Sequence, residues 1–408
     1  MTIDVKQLMQ HFPAVPETQV TLANWREPMM SRWSFSLVRQ ILPTAPFKTS
    51  GQASGQAAGQ VTDLPHDPVD LGSLRFTYDG SLHTLGSWLD SSRTDAFLVM
   101  HRGTLAYEWF GGWGAADRQH IIFSVSKSLT ALLAGILCDA GVLDPQRPVR
   151  DYLPEVAGSA YQDALLRHVL DMTVASGFNE DYLDTTGVFM AYRRASAWNP
   201  LEANTTTDGL RAFLASMPAS DGRHGYRHHY CSPHTDLLGW IIERASGTAF
   251  NELFSELLMQ PIGAAHEGYV TLDSFGAPRV AGGICLAPHD LLRFAEMVRN
   301  FGAVGTRQIV PESWIAEFRS YDDKAPWQRQ QDGPRHFPHG SYRSKWYRTG
   351  LPDDEFAAIG IHGQWIWVNP AREVTIIRMA SNDLPIDPDA GPVLHAAFDA
   401  VCRAFGEG

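Results

Sequence analysis

Ser124-Val125-Ser126-Lys127 places a hydroxyl and an amine three residues apart at the mouth of an apolar stretch. Residues three apart share one face of a helix, so the two side chains would meet. A serine hydroxyl is a weak nucleophile until a neighbouring base takes its proton, and an unprotonated lysine can do so. Of the chain's five lysines (Lys6, Lys48, Lys127, Lys324, Lys345), only Lys127 follows a serine by three positions. Such a lysine must titrate below its ordinary pKa of about 10.4, and burial lowers it. The run IIFSVSKSLTALLAGIL around it carries no other charge, so burial is expected. Two further segments could complete the chemistry. Tyr230-Cys231-Ser232 offers a phenol to relay a proton to a leaving group. Gly360-Ile361-His362-Gly363 brackets a backbone between glycines, which permit close approach to a ligand. The Ser124 and Ile361 amides are thus candidate donors to an oxyanion.

The elements that must position these groups follow from pattern. Residues 96–100 are short and apolar, Arg102-Gly103 signals a turn, and residues 105–110 are aromatic-rich, which together predict a hairpin. A helix begins near Ser124, runs through Leu129, Leu132, Leu133, Ile136 and Leu137, and stops at Gly141. Helical patterns recur at 164–172, 210–216 and 236–245. Sheet returns at 364–368 and 374–379 around Asn369-Pro370, and a helix over 393–404 closes the chain. This order predicts an α+β protein, an antiparallel sheet flanked by helices, with a mainly helical second subdomain. The expected divisions are an N-terminal extension (1–48), a flexible Gly/Ala/Gln linker (49–62), an α/β subdomain (63–145 and 281–408) and a helical subdomain (146–280). A cleft between the two subdomains is the natural ligand site.

Composition narrows the class. The 408 residues are 44% hydrophobic and 19% charged, as in soluble globular proteins. A net charge of −12 without a basic stripe argues against nucleic acid or an anionic membrane as partner. The first twenty residues lack the apolar core of a secretory signal, and no apolar run nears the ~20 residues that span a bilayer. Cys138, Cys231, Cys285 and Cys402 are widely spaced, which fits thiols in a reducing cytoplasm and leaves disulfides open. His224, His228, His229, Cys231 and His234 have zinc-ligand chemistry, but the adjacent His228 and His229 cannot easily share one ion. No metal or cofactor is expected. Gly-x-Ser-x-Gly, His-Glu-x-x-His and P-loop motifs are absent, which argues against nucleophile-elbow hydrolases, zinc proteases and nucleotide-binding enzymes.

In this order the three segments resemble the serine β-lactamase and DD-peptidase superfamily, whose signature includes Ser-x-x-Lys. They are most similar to its 6-aminohexanoate-dimer hydrolase branch and to class C-like carboxylesterases. The resemblance rests on Trp25-Arg26-Glu27-Pro28, Arg32-Trp33, the segment 123–129, Asn179-Glu180-Asp181-Tyr182, Tyr230-Cys231-Ser232, Thr235-Asp236, Gly282-Gly283 and the segment 360–364. It implies Ser124 as nucleophile, Lys127 as base, Tyr230 as proton relay, and the Ser124 and Ile361 amides as oxyanion hole. It implies Tyr182, Ser232, Tyr347, His362 and Gly363 as substrate contacts, with Trp198 near the cleft. Departures bear on substrate. Ser232 stands where β-lactamases carry asparagine, and no Lys-Thr-Gly precedes the final hairpin; Arg348-Thr349-Gly350 approaches it but runs into a loop-like sequence. No acid is evident beside Tyr182 to hold an ammonium, and Arg193 and Arg194 follow instead. The expected function is cleavage of small carboxylic esters, and of linear amides such as 6-aminohexanoate oligomers, through an acyl-enzyme. β-Lactamase or DD-peptidase activity is the alternative, and an inactive ligand- or partner-binding homologue is the alternative of another class. The expected partner is a small ester or amide, in the cytoplasm, with a homodimer left open.

Overall fold

The computed structural model describes residues 5–11, 13–49, 61–331, 333 and 336–406. Most of the expected linker, residues 50–60, lies outside the described residues. A seven-stranded antiparallel sheet runs in the order Ser341–Arg343, Trp346–Arg348, Phe356–Gly360, Gln364–Asn369, Val374–Ala380, Thr94–His101 and Thr104–Phe110. Both expected hairpins are present. They meet at the centre, where Val374–Ala380 pairs with Thr94–His101.

Central strands are mostly apolar and buried because both faces are covered, and alternate side chains divide between two cores. Ala96, Leu98, Met100, Ile366 and Ile377 point to the core shared with the Val125–Asp139 and Pro288–Arg299 helices. Phe97, Val99, Trp365, Trp367 and Ile376 point the other way, onto Leu394, Phe398 and Val401 of the closing Ala390–Ala404 helix. The architecture is therefore α+β, with helices on both faces of the sheet.

Helices dominate the middle of the chain, at Leu166–Leu170, Val188–Ala195, Gly209–Ala215 and Ser232–Ser246. One strand interrupts this pattern. Gly268–Thr271 pairs with Thr44–Phe47 and Ile284–Leu286 in a four-stranded sheet completed by His120–Ile121. The N-terminal segment is thus built into the body. Its Trp25, Trp33 and Phe35 form a third core with Phe123, Trp198 and Tyr269. Among the described residues no helix is long and apolar enough to cross a membrane.

Candidate active site

Ser124 caps the Val125–Asp139 helix, whose first turns are buried. Phe123 before it has φ +42°, a conformation strained for an aromatic residue, and its ring is wedged against Phe35 and Trp198 at 4.8 and 6.0 Å. Packing of the N-terminal aromatic core thereby sets the angle at which the chain enters Ser124. Lys127 is 2% exposed. Its Nζ donates to Ser124 Oγ at 2.6 Å and to the Ala281 carbonyl at 2.7 Å. Burial lowers the lysine pKa to about 8, opposed by Glu180, assisted by Arg279 and opposed again by Asp236. A sizeable neutral fraction therefore exists near neutral pH, poised against the serine hydroxyl.

Ala281 is itself fixed. Asp236 Oδ1 accepts from the Ala281 amide at 2.7 Å, while Oδ2 takes Arg279 Nη1 at 2.5 Å and the Tyr192 hydroxyl. The Arg279 guanidinium lies 4.2 Å from the Tyr192 ring and 4.8 Å from Trp198. A buried pair of this kind is costly to break, so it holds the acceptor of the lysine in one place. Gly283 permits the approach, since a Cβ there would stand 2.1 Å from Thr271 Oγ1.

Tyr230 immediately precedes the Ser232–Ser246 helix, with its ring centroid 5.1 Å from Lys127 Nζ. Its hydroxyl makes no hydrogen bond to a described residue. Burial, then Tyr347, Tyr182 and Tyr342, raises its pKa well above the ordinary value. At neutral pH it is a phenol with a proton to give. Gly360 lies against the backbone two residues before Ser124: a Cβ there would meet the Ile122 carbonyl at 2.7 Å. This contact sets Ile361 beside Ser124, and among the described residues neither amide N–H has an acceptor.

Ser124, Tyr182, Tyr230, Tyr347, Ile361 and Gly363 line one cavity of about 280 Å³. Lys127 sits beneath Ser124. The structure places the remaining expected contacts elsewhere. Ser232 is off the cavity wall, its hydroxyl donating to Glu180 at 2.6 Å. His362 is buried, with its ring 5.0 Å from Phe35 and 5.3 Å from Phe123 and its Nδ1 2.8 Å from the Asn382 carbonyl. Trp198 is core, its indole donating to Thr271 at 3.1 Å. Arg348-Thr349-Gly350 lies at the wrong end of its strand. Arg348 pairs with Phe356, away from Gly360, and bonds Asp322 and Asp354 at 3.0 and 2.9 Å. The histidines disperse: His234 meets Tyr161, His224 meets Asp163, and His228 packs between Trp327 and Tyr342. Among the described residues no metal-ligating cluster forms, and the cysteines are free thiols.

Glu180 corrects the sequence reading that no acid stands beside Tyr182. Its Oε1 accepts from the Tyr182 hydroxyl at 2.5 Å and from Ser232 Oγ, and its Oε2 accepts from the Ser232 amide at 2.5 Å. The carboxylate thus sits at a helix N-terminus, where exposed N–H groups favour negative charge, and it lines the cavity. Two signals pointed to it. Glu180 and Tyr182 alternate along an extended loop, so they can face one way, and the helix opening at Ser232-Pro233 calls for an anion. Arg193 reaches only the Tyr182 carbonyl, at 3.0 Å, and Arg194 pairs with Glu202 at 2.7 Å.

Similarity to known proteins extends over most of the chain. The model of the beta-lactamase family matches residues 90–398. The 6-aminohexanoate-dimer hydrolase of Paenarthrobacter ureafaciens is 30% identical over 370 residues, 91% of this chain and 90% of that protein. A Bacillus anthracis protein provisionally named 6-aminohexanoate-dimer hydrolase superimposes with a TM-score of 0.85 at 21% identity, over 95% of this chain and 97% of the other. A family VIII carboxylesterase shares the fold with a TM-score of 0.56 at 17% identity, over 77% of this chain and 95% of that one.

Proposed function

Because the chain belongs to the beta-lactamase family and is a hydrolase of its serine type, we propose that it cleaves small carboxylic esters, and linear amides of the 6-aminohexanoate type, through an acyl-enzyme on Ser124. The observation that carries this reading is the 2.6 Å contact between a buried amine and a hydroxyl at a cavity wall. Ser124 Oγ attacks the substrate carbonyl as Lys127 Nζ takes its proton. The oxygen that becomes negative is received by the Ser124 and Ile361 amides, which have no acceptor among the described residues. The C–O or C–N bond to the leaving group then breaks as the Tyr230 phenol supplies the departing proton, and Tyr230 recovers one from the Lys127 ammonium. Water repeats the sequence on the acyl ester, giving up its proton to the Lys127/Tyr230 pair and releasing the acid.

Glu180 places a carboxylate on the wall, and with it a site for a substrate N–H or ammonium. This restores linear amides beside esters as substrates. The strand next to Ser124, Phe356–Gly360, presents no cation for a β-lactam carboxylate, which sets β-lactams last. The test is p-nitrophenyl acetate hydrolysis by the wild type and Ser124→Ala. A burst of p-nitrophenol confined to the wild type supports the proposal, and equal bursts overturn it. Linear 6-aminohexanoate dimer and nitrocefin in the same assay rank the substrates.

A further inference from the structure

Arg378 is a buried cation whose partners, among the described residues, are all neutral, and it grips the loop that carries the Ile361 amide. It lies on the Val374–Ala380 strand and is 1% exposed. Nε donates to Thr94 Oγ1 at 2.9 Å, and Nη2 to the Ser92 carbonyl at 2.7 Å and Asn382 Oδ1 at 3.3 Å. Nη1 donates to the Gly363 carbonyl at 3.0 Å, and the guanidinium lies 5.4 Å from the Trp88 ring. Asp95, the acid whose charge it feels, is occupied by Arg32 at 3.3 Å, His120 at 3.2 Å and the Ser381 hydroxyl. Burial lowers the Arg378 pKa to about 10, which still leaves it charged at neutral pH. Buried charge is normally cancelled by a counter-ion because desolvation is expensive. Here, among the described residues, no carboxylate contacts the guanidinium directly, and it stands on the wall of the cavity that Ser124 and Ile361 also line.

The loop it grips needs holding. His362 and Gly363 are successive left-handed residues, at φ +59° and +88°, and the first has a side chain. A Cβ on Gly363 would stand 2.3 Å from Arg378 Nη1 and 2.9 Å from Asn382 Nδ2, so the glycine exists to let the arginine reach the backbone. The His362 amide donates to Pro385 at 2.9 Å, and the His362 carbonyl accepts from the Asn382 amide at 3.1 Å. Gln364 Nε2 takes the Ile361 carbonyl at 3.3 Å. The carbonyls of 361, 362 and 363 and the His362 amide are thus all engaged, while the Ile361 N–H has no acceptor among the described residues.

We propose that Arg378 is the positioning residue of the oxyanion hole: it fixes the Ile361 amide through Gly363 and adds positive charge to the wall of the cavity in which the oxygen turns negative. This rests on the reading of the Ser124 and Ile361 amides as that hole. Donors held in advance stabilise the transition state without reorganising, and charge acts strongly in a site of low dielectric. Lysine would keep the charge but could not bridge Gly363 and Ser92 at once, for want of a planar fork.

The test compares wild type, Arg378→Met and Arg378→Lys. Active sites are counted by fluorophosphonate labelling, and folding is checked by thermal melting. Two quantities are read on the labelled fraction: the acylation rate and KM for p-nitrophenyl acetate, and inhibition by an alkyl boronic acid, whose serine adduct places an oxygen in the hole. Arg378→Met is expected to slow acylation between about tenfold and a thousandfold and to weaken the boronic acid in parallel, with KM within threefold. Arg378→Lys should recover part of both losses. Should the methionine variant fail to fold, the lysine variant carries the test, with a smaller loss of the same signature. Unchanged acylation and boronate inhibition in a folded variant overturn the proposal, as does a loss confined to KM. A wild type that labels at Ser124 while the variants keep its rate refutes only the role of Arg378. A wild type that never acylates refutes the site reading, and this proposal with it.

Discussion

Lys127 and Lys345 are buried to the same degree, yet only one is placed to do chemistry. They are 2% and 1% exposed, and each amine donates to a backbone carbonyl, Ala281 for the first and Val169 for the second. Burial lowers both pKa values, to about 8 for Lys127 and to about 7 for Lys345, where the Lys127 charge lowers it further. Lys345 lies in a tight turn with Ser344, both residues left-handed at φ +65° and +48°. Its own carbonyl accepts from Ser128 Oγ at 2.6 Å, so the turn braces the first turn of the Val125–Asp139 helix. The difference is a second contact. Lys127 alone meets a hydroxyl that faces the cavity. A depressed pKa makes a base available, and access to a reacting atom makes it useful.

The largest expected effect breaks this comparison if it fails. Lys127→Met should slow the acylation burst by about a thousandfold, the middle of the range for a general base. Lys345→Met should leave it within threefold, so equal losses measured by stopped flow would erase the distinction. Next comes the Asp236 support beneath Lys127. Asp236→Asn should cost about 3 kcal/mol in urea unfolding, because it leaves Arg279 as a buried charge without its partner. Lys345→Met should not destabilise at neutral pH, since it removes an amine whose burial is itself unfavourable there.

The pH dependence sharpens the contrast. Wild-type acylation should rise with pH through about 8 as Lys127 loses its proton. The Glu180 carboxylate stabilises the ammonium, so Glu180→Gln should move this rise to lower pH. A rise left in place would remove Glu180 from the electrostatics of the base. The smallest effect belongs to Lys345. Its folded pKa of about 7 lies below its unfolded value of about 10.4. Between those values the unfolded chain binds more protons, so stability increases with pH across that window. Lys345→Met should flatten the increase, as measured by urea unfolding at neutral and mildly alkaline pH.

Local arguments read much of the fold and the heart of the site. The pairing of Ser124 with Lys127 needed only helix geometry, and both hairpins followed from strand periodicity and turn residues. The Ser232–Ser246 helix was read from residue 236 onward, because His234 and Pro233 hide its first turn from an apolar pattern. Strand Phe356–Gly360 is five residues long and flanks a loop, so its FAAIG sequence carried no alternation to detect. His362 drew attention by its place between glycines, and only the packing of Phe35 and Phe123 shows its ring turned from the cavity.

Chain order alone determined which residues share a helix face, which runs alternate, and which dipeptides turn, because those depend on neighbours within a few positions. Tertiary structure decided what surrounds each charge. Glu180 meets Ser232 across 52 positions, and Lys127 meets Ala281 across 154. Arg378 reaches Ser92 across 286. Burial, counter-charge and the aim of an amide arise only when such distant segments are packed together, and those are the quantities that turn a serine and a lysine into a reactive pair.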